Sequence, residues 1–201
     1  TKDLIACVLS ERWRTLKTPG NRNNEIGVPA ALCEITKETE ALVIEMGMTA
    51  PGDVEKLAQA ALPDIGVITW VGTSHIERLG SRENILRAKL ELASALRPGA
   101  PLILWADNDL LGEVRQAGQA RIIRYGIDAP QVQVRAKDLL GEGNGTRFVI
   151  EADGEEYPAY LPVPGRHNVL DALAAFAVGR EAGLFPEEIL RGLAAYEPSG
   201  M

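Results

Sequence analysis

The sequence is poor in the residues on which several classes of protein depend. Its 201 residues include two cysteines and two histidines, and aromatic residues make up 5%. Two cysteines, Cys7 in a helical pattern and Cys33 beside an apolar stretch, indicate buried, reduced thiols and not a disulfide framework or a metal site. No stretch approaches the roughly 20 apolar residues of a membrane span, and the first residues lack a signal-peptide cleavage site. We therefore expect a cytoplasmic location and no membrane span.

Positive charge is also scarce. Lysine and arginine number 21 against 28 aspartate and glutamate residues, which gives a formal net charge of -7. Affinity for a nucleic-acid backbone comes from clustered lysine and arginine, so nucleic acid is not an expected partner. The hydrophobic content of 46% is enough for one domain with a sizeable core.

The first third of the chain predicts a β-α-β unit. Residues 1–13 form an amphipathic helical pattern without a cap, and residues 18–29 are dense in glycine, proline and asparagine, which is typical of a loop. Residues 41–46 and 65–71 are short apolar runs, the pattern of parallel strands buried on both faces. Residues 51–62 between them predict a helix with a proline near its start.

The middle of the chain continues this alternation. Residues 81–99 predict one long helix, with Ser81 as N-cap and Gly99 just past its end. Residues 101–106 and 121–126 predict further strands around a helix that begins near Asp107.

The pattern changes near residue 131. Residues 131–163 alternate in hydropathy between Gly-rich turns, which indicates antiparallel hairpins, and residues 165–183 and 186–196 predict two closing helices. The predicted fold class is α/β, a mostly parallel sheet with helices on both faces plus a small antiparallel β subdomain.

Ligands of an open parallel sheet gather at the carboxyl ends of its strands, where two polar residues lie. Glu45 ends the first apolar run, and its carboxylate suits Mg²⁺, although a solvated loop carboxylate fits the pattern equally well. His75 follows the next run in a Gly-Thr-Ser-His loop, either as a metal ligand, as a polar group near phosphate or as an ordinary loop histidine.

Two further features are open to a plain explanation. Lys89 lies among apolar residues of the predicted helix, and by pattern alone it is expected to be a solvated lysine. The cluster of Asn21, Asn23 and Asn24 is able to surround an anion, but asparagine next to glycine also simply forms turns.

Taken in order, four segments resemble the Mur ligase family: residues 20–29, 43–81, 85–92 and 165–175. Each is modest alone, and the ordered set is specific. The resemblance implies a central, ATP-handling domain with a P-loop NTPase-like fold. Within the family, the strings Asn-Asn-Glu-Ile-Gly-Val-Pro and Glu-Met-Gly favour the branch that uses ATP to join D-alanyl-D-alanine to UDP-N-acetylmuramoyl-tripeptide through an acyl phosphate. The alternatives are a branch that adds diaminopimelate or lysine, and a non-catalytic binding domain.

The resemblance also implies roles for single residues. Glu45 matches the family's Mg²⁺-binding glutamate, and His75 matches the histidine of a second magnesium site. Lys89 matches a lysine that is carbamylated, which turns a cation into an oxygen-bearing anion and reverses the prediction made from pattern alone. Asn24 or its neighbour Asn23 matches the loop asparagine near the γ-phosphate. Lys89, His75 and Asn24 are thus the implied catalytic residues.

For ATP binding, the resemblance adds residues at both ends of the chain. His167 and Asn168 match the family's His-Asn pair. Thr1, which directly follows the position of the family's phosphate loop, is implied to bind ATP together with Asn23 and Asn24. Asp171 stands where many members have an adenine-contacting asparagine. An ionised carboxylate accepts hydrogen bonds but cannot donate one, so this contact departs from the family pattern.

The domain boundaries are expected to fall outside the sequence. Family members carry a Gly-x-x-Gly-Lys-Thr phosphate loop just before a Thr-Lys pair, and here that pair is Thr1 and Lys2; no Gly-Lys-Ser/Thr string occurs elsewhere. We expect residues 1–201 to be a central domain cut at both ends and inactive alone. The N-terminal UDP-binding and C-terminal dipeptide-binding domains are expected to lie outside it.

Overall fold

A computed structural model describes residues 1–198. Residues 199–201, the end of the predicted domain, lie outside the described residues. None of the helices in the described part has the length and apolar character that crossing a bilayer requires.

The strands form two hydrogen-bonded sheets. The smaller sheet pairs β1 (Thr15–Lys17) with β2 (Ala41–Val43) in parallel. The larger sheet has six strands in chain order, namely β3 (Gly66–Ile68), β4 (Pro101–Trp105), β5 (Arg121–Gly126), β6 (Val134–Glu142), β7 (Gly145–Ala152) and β8 (Glu155–Leu161). The strands β3 to β6 pair in parallel, which confirms the predicted mostly parallel α/β fold.

The helices alternate with the parallel strands. They are α1 (Lys2–Ser10), α2 (Gly27–Cys33), α3 (Asp53–Ala61), α4 (Ile76–Leu79), α5 (Arg82–Leu90), α6 (Asp109–Gly112), α7 (Arg166–Glu181) and α8 (Pro186–Ala194), with a 3₁₀ segment at Glu91–Ala95. The unit β2-α3-β3 is the predicted β-α-β unit, and its two strands belong to different sheets within the described residues.

The strand β4 shows why helices cover both faces of the sheet. Its residues Leu102, Ile103 and Leu104 are fully buried, as the run of apolar residues predicts. Successive side chains point to opposite faces. Ile103 therefore joins the apolar core under α1, α7 and α8, whereas Leu102 and Leu104 join a second core under α3 and α5.

The three hairpin strands are antiparallel, as predicted, but they continue the main sheet. The strand β6 pairs in parallel with β5, Val134 opposite Tyr125, and its other edge pairs antiparallel with β7. The element predicted as an appended subdomain is thus an extension of the same sheet.

Three local predictions need correction. The predicted long helix is α-helical only to Leu90, the end of α5, and the 3₁₀ segment follows it. Leu96, two residues before Pro98, is already in an extended conformation. Ser81 does cap α5 by accepting a hydrogen bond from the Asn84 amide. The strand β1 and the helix α2 were not predicted. Cys33, at the end of α2, is exposed, so the prediction of two buried thiols is wrong for this residue.

Candidate functional site

A cleft of about 940 Å³ lies between β2 and β3. Its lining includes six polar side chains from five parts of the chain: Thr1, Lys2, Asn23, Glu45, His75 and Lys89. Glu45 and His75 follow β2 and β3 respectively, so the carboxyl ends of these strands open into one space. The structure thus brings together the residues predicted separately as metal ligands.

Glu45 is held by its neighbours and remains accessible. Its Oε1 atom accepts a 2.7 Å hydrogen bond from the Asn23 side-chain amide, and its backbone amide donates to the hydroxyl of Thr18 at 3.1 Å. The ammonium of Lys2 lies 3.9 Å from Oε2. Because the Glu45 side chain is 44% exposed, its oxygens are available to a ligand in the cleft.

The two adjacent asparagines have different roles in the structure. The backbone carbonyl of Asn23 accepts a 2.6 Å hydrogen bond from Gly47, which fixes the loop beside Glu45. The side-chain oxygen of Asn24 instead accepts from the amides of Ile26 and Gly27 at 3.2 and 2.9 Å, immediately before α2. Of the two candidates, Asn23 faces the cleft, and Asn24 stabilises the start of a helix.

His75 lies in a strained backbone conformation. Its φ of 66° is in the left-handed region, which is uncommon for residues other than glycine. Its carbonyl accepts hydrogen bonds from Arg78 and Leu79 at 3.0 Å, so the turn into α4 holds it there. Backbone strain of this kind is found at functional sites, and it presents the exposed imidazole to the cleft.

Lys89 corrects the expectation of a solvated helix lysine. It is half-buried against the cleft, and this burial lowers the pKa of its ammonium. No acidic partner within residues 1–198 offsets the desolvation. A lowered pKa increases the fraction of neutral amine, which is the nucleophilic form of lysine.

The ATP-side candidates gather at the start of α7. Asp171 accepts hydrogen bonds from the hydroxyl and the backbone nitrogen of Thr1, the latter at 2.9 Å. The side-chain amide of Asn168 donates to the carbonyl of Pro164 at 2.7 Å, and His167 is exposed. Since Thr1 also lines the cleft, Asp171 and the cleft residues are neighbours.

Asp107 is a residue near the site that no sequence pattern indicated. Burial raises the pKa of this carboxyl, but hydrogen bonds from the amides of Ile127, Asp128 and Ala129 outweigh it and hold the pKa below its usual value. Asp107 thereby joins the carboxyl end of β4 to the loop after β5. Asp128 in that loop forms an exposed ion pair with Arg166, the first residue of α7.

Metal binding would need donors beyond the acidic and histidine side chains. Among the described residues, no group of three histidine, cysteine, aspartate or glutamate residues is close enough to hold an ion. Glu45 and His75 are therefore, at most, part of a ligand set that is completed by other oxygen donors.

Comparison with known proteins identifies the family. A Mur ligase middle domain model matches residues 1–179. The chain is 39% identical over 201 residues to the UDP-N-acetylmuramoyl-tripeptide--D-alanyl-D-alanine ligase of Bacillus subtilis, covering all of this chain and 43% of that protein. It is 32% identical over 194 residues to the ligase of the same name from Escherichia coli, covering 96% of this chain and 43% of that protein.

Solved structures of Mur ligases are also similar to this chain. MurF from Acinetobacter baumannii superposes with a TM-score of 0.91 at 30% identity, covering 98% of this chain and 43% of that one. MurF ligase from Thermotoga maritima in complex with ADP superposes with a TM-score of 0.87 at 28% identity, covering 98% and 45%. The chain spans less than half the length of the relatives it matches. The family match over most of its residues shows that this chain belongs to the Mur ligase family, as a middle domain.

Proposed function

We propose that a full-length protein containing this chain joins D-alanyl-D-alanine to UDP-N-acetylmuramoyl-tripeptide at the expense of ATP, in the cytoplasm. The names of the Bacillus subtilis and Escherichia coli relatives support the choice of substrates. The observation that carries the proposal is the cleft whose lining includes Glu45, hydrogen-bonded by Asn23, together with His75 and Lys89.

The residues of the cleft fit Mg²⁺ in part. Mg²⁺ prefers oxygen ligands and keeps several waters, so one oriented carboxylate beside substrate phosphate oxygens is a suitable partial site. Glu45 would supply that carboxylate, with His75 at a second position. Bound there, Mg²⁺ would neutralise charge that develops between the γ-phosphate and the attacking carboxylate.

Carbamylation of Lys89 would supply a second anionic group. The neutral amine adds to CO₂, forming an N–C bond and releasing one proton to water, and the product carries a negative charge on two oxygens. The lowered pKa of Lys89 favours the amine that this step requires. An ammonium at this position would instead repel a metal cation.

The reaction would proceed in two steps. The terminal carboxylate of the tripeptide attacks the γ-phosphorus of ATP, ADP leaves, and an acyl phosphate forms. The amine of D-alanyl-D-alanine then attacks the acyl carbon and loses one proton to water, and inorganic phosphate leaves with the C–O bond electrons. Glu45, His75 and Lys89 would hold the charged groups in the cleft, and Asn23 would keep Glu45 in place.

The nucleotide would extend from the cleft toward α7. The Thermotoga maritima relative was solved with ADP, which supports nucleotide binding by this domain. Thr1, Asn168 and Asp171 would lie beside the adenosine, with His167 at the start of the helix. Since no Gly-Lys-Ser/Thr string occurs in these 201 residues, we propose that a phosphate loop elsewhere in the full-length protein holds the ATP phosphates.

Product analysis tests this proposal. The full-length protein is incubated with Mg²⁺-ATP, UDP-N-acetylmuramoyl-tripeptide and D-alanyl-D-alanine, and the product is identified by mass spectrometry. We expect the pentapeptide product with one phosphate released per amide bond. Amide formation only from UDP-N-acetylmuramoyl-dipeptide and diaminopimelate or lysine would assign the chain to another branch. Nucleotide binding without any product would indicate a binding domain.

A further inference from the structure

Lys2 has no role in the function proposed above, yet it joins three parts of the site. It is the first residue of α1, and its side chain is only 10% exposed. The ammonium donates hydrogen bonds to the carbonyls of Thr18 and Gly20 at 2.7 and 2.5 Å. It also lies 3.9 Å from the Oε2 atom of Glu45. The two carbonyls are thus its hydrogen-bond acceptors, and the carboxylate is a charged neighbour beyond hydrogen-bonding distance.

The loop that Lys2 binds also carries Asn23. Thr18 begins this loop fully buried, with its amide donating to Val43 at 3.0 Å and its hydroxyl accepting from Glu45. After Thr18 the chain leaves β1, and Gly20 has a positive φ of 53°. The carbonyls of Thr18 and Gly20 therefore face Lys2.

We propose that Lys2 is a positioning residue for the metal site. By holding the Thr18–Gly20 turn against the start of α1, it places Asn23 so that its amide reaches Oε1 of Glu45. The inference rests on the proposed function only in treating Glu45 as a Mg²⁺ ligand. A neutral side chain of the same length would leave two carbonyls without their donor and release the turn.

The first test measures loop order and needs no catalysis. In the full-length protein, we expect Lys2→Met to accelerate hydrogen exchange of the Asn23 and Gly47 amides at least tenfold. Lys17→Met is the matched control, because Lys17 also forms an ion pair with α1, to Asp3 at 2.6 Å, but donates nothing to the loop carbonyls. If Lys2→Met does not fold, Lys2→Gln, which keeps amide donors without charge, is expected to show the same direction of change. Unchanged exchange in a folded variant would overturn the proposal.

The second test asks whether Lys2 acts through Asn23. The readout is the Mg²⁺ concentration that gives half-maximal nucleotide binding, measured for Lys2→Met, Asn23→Ala and the double variant. We expect each single variant to raise this Mg²⁺ concentration about tenfold. The double variant should need no more Mg²⁺ than the more strongly affected single variant, because the two changes break one chain of contacts. Lys2→Arg, which keeps N–H donors for the two carbonyls, is expected to recover part of the loss.

The outcomes separate the two proposals. Strictly additive effects of Lys2→Met and Asn23→Ala would show that Lys2 does not act through the loop, even in an active ligase. A full-length protein that makes no amide product would refute the proposed function, whereas the hydrogen exchange and binding measurements would still decide the role of Lys2.

Discussion

The side-chain amide of Asn23 donates a 2.7 Å hydrogen bond to Oε1 of Glu45, so a loop and the end of a strand share one carboxylate. The bond holds the carboxylate at one oxygen, and the Glu45 side chain remains 44% exposed. A carboxylate fixed in this way loses less conformational freedom when a cation binds. Substitutions that remove or displace the Asn23 amide should therefore weaken the site.

Substitution of the two adjacent asparagines should separate binding from stability. Asn23→Ala removes a hydrogen bond to a charged group, so we expect kcat/KM of the full-length enzyme to fall by roughly 10–100-fold with little change in Tm. Asn24→Ala removes the acceptor at the start of α2, which costs about 1 kcal/mol of stability. Steady-state kinetics and thermal melting of both variants check this. A loss of activity confined to Asn24→Ala would assign the loop role to that residue instead.

Gly47→Ala should also disturb the hydrogen bond between Asn23 and Glu45, by displacing Asn23. A Cβ atom at residue 47 would lie 2.7 Å from Oδ1 of Asn23, so the asparagine would have to move away from Glu45. We expect activity to fall at least tenfold, as for Asn23→Ala. Gly141→Ala is the control, because a Cβ there meets nothing within 4 Å. Equal activity of the two glycine variants would contradict the prediction.

The positions of two site residues could be predicted from the apolar runs of the sequence and the polar residues at the ends of those runs. Glu45 and His75 were predicted at one edge because both end strands of a β-α-β unit, and both line the cleft. The choice between Asn23 and Asn24 was not predictable. They are neighbours of the same type, and only the backbone of the loop decides which side chain faces Glu45.

The burial of Lys89 and Asp107 was also not predictable from the sequence. The helical pattern around Lys89 gives no sign that α5 turns this residue toward the cleft, because the position of the helix depends on its packing under the sheet. Asp107 was missed for a similar reason. Its three backbone donors lie about 20 residues away in the sequence, in a loop whose path is fixed only by the pairing of β4 with β5.

Asp107→Ala should destabilise the fold at neutral pH. Three backbone amides would lose a charged acceptor, which costs at least about 2 kcal/mol of unfolding free energy. The lowered pKa of Asp107 means that its stabilisation is present above the unfolded pKa of about 3.9 and is lost as pH falls through the lower folded value. Urea unfolding should therefore give a larger unfolding free energy for the wild type than for Asp107→Ala at pH 7. This difference should shrink below about pH 4.

The matched control for this measurement is Asp64→Ala. Asp64 is exposed and, within residues 1–198, pairs only with Arg97, also at the surface, so its removal should cost less than about 1 kcal/mol. A loss for Asp107→Ala as small as that of Asp64→Ala would show that the three hydrogen bonds do not hold the two loops together.

Lys89 should be needed for activity and not for stability. Lys89→Ala in the full-length enzyme should lower kcat at least 100-fold, and added short carboxylic acids should restore part of it by placing oxygens where the carbamate would be. Lys89→Met removes a half-buried ammonium without an acidic partner among the described residues, so Tm should stay the same or rise. Lys56→Ala, at an exposed position of α3, is the control. Full activity of Lys89→Ala without added acid would refute carbamylation.

An isotope measurement decides whether the cleft activates the peptide carboxylate by transfer of a phosphoryl group. The tripeptide substrate is labelled with ¹⁸O in its terminal carboxylate and incubated with the full-length protein, Mg²⁺-ATP and D-alanyl-D-alanine. If an acyl phosphate forms, one carboxylate oxygen leaves with the phosphate when the amine attacks. We predict one ¹⁸O atom in each released phosphate by mass spectrometry, and phosphate without ¹⁸O would contradict the account.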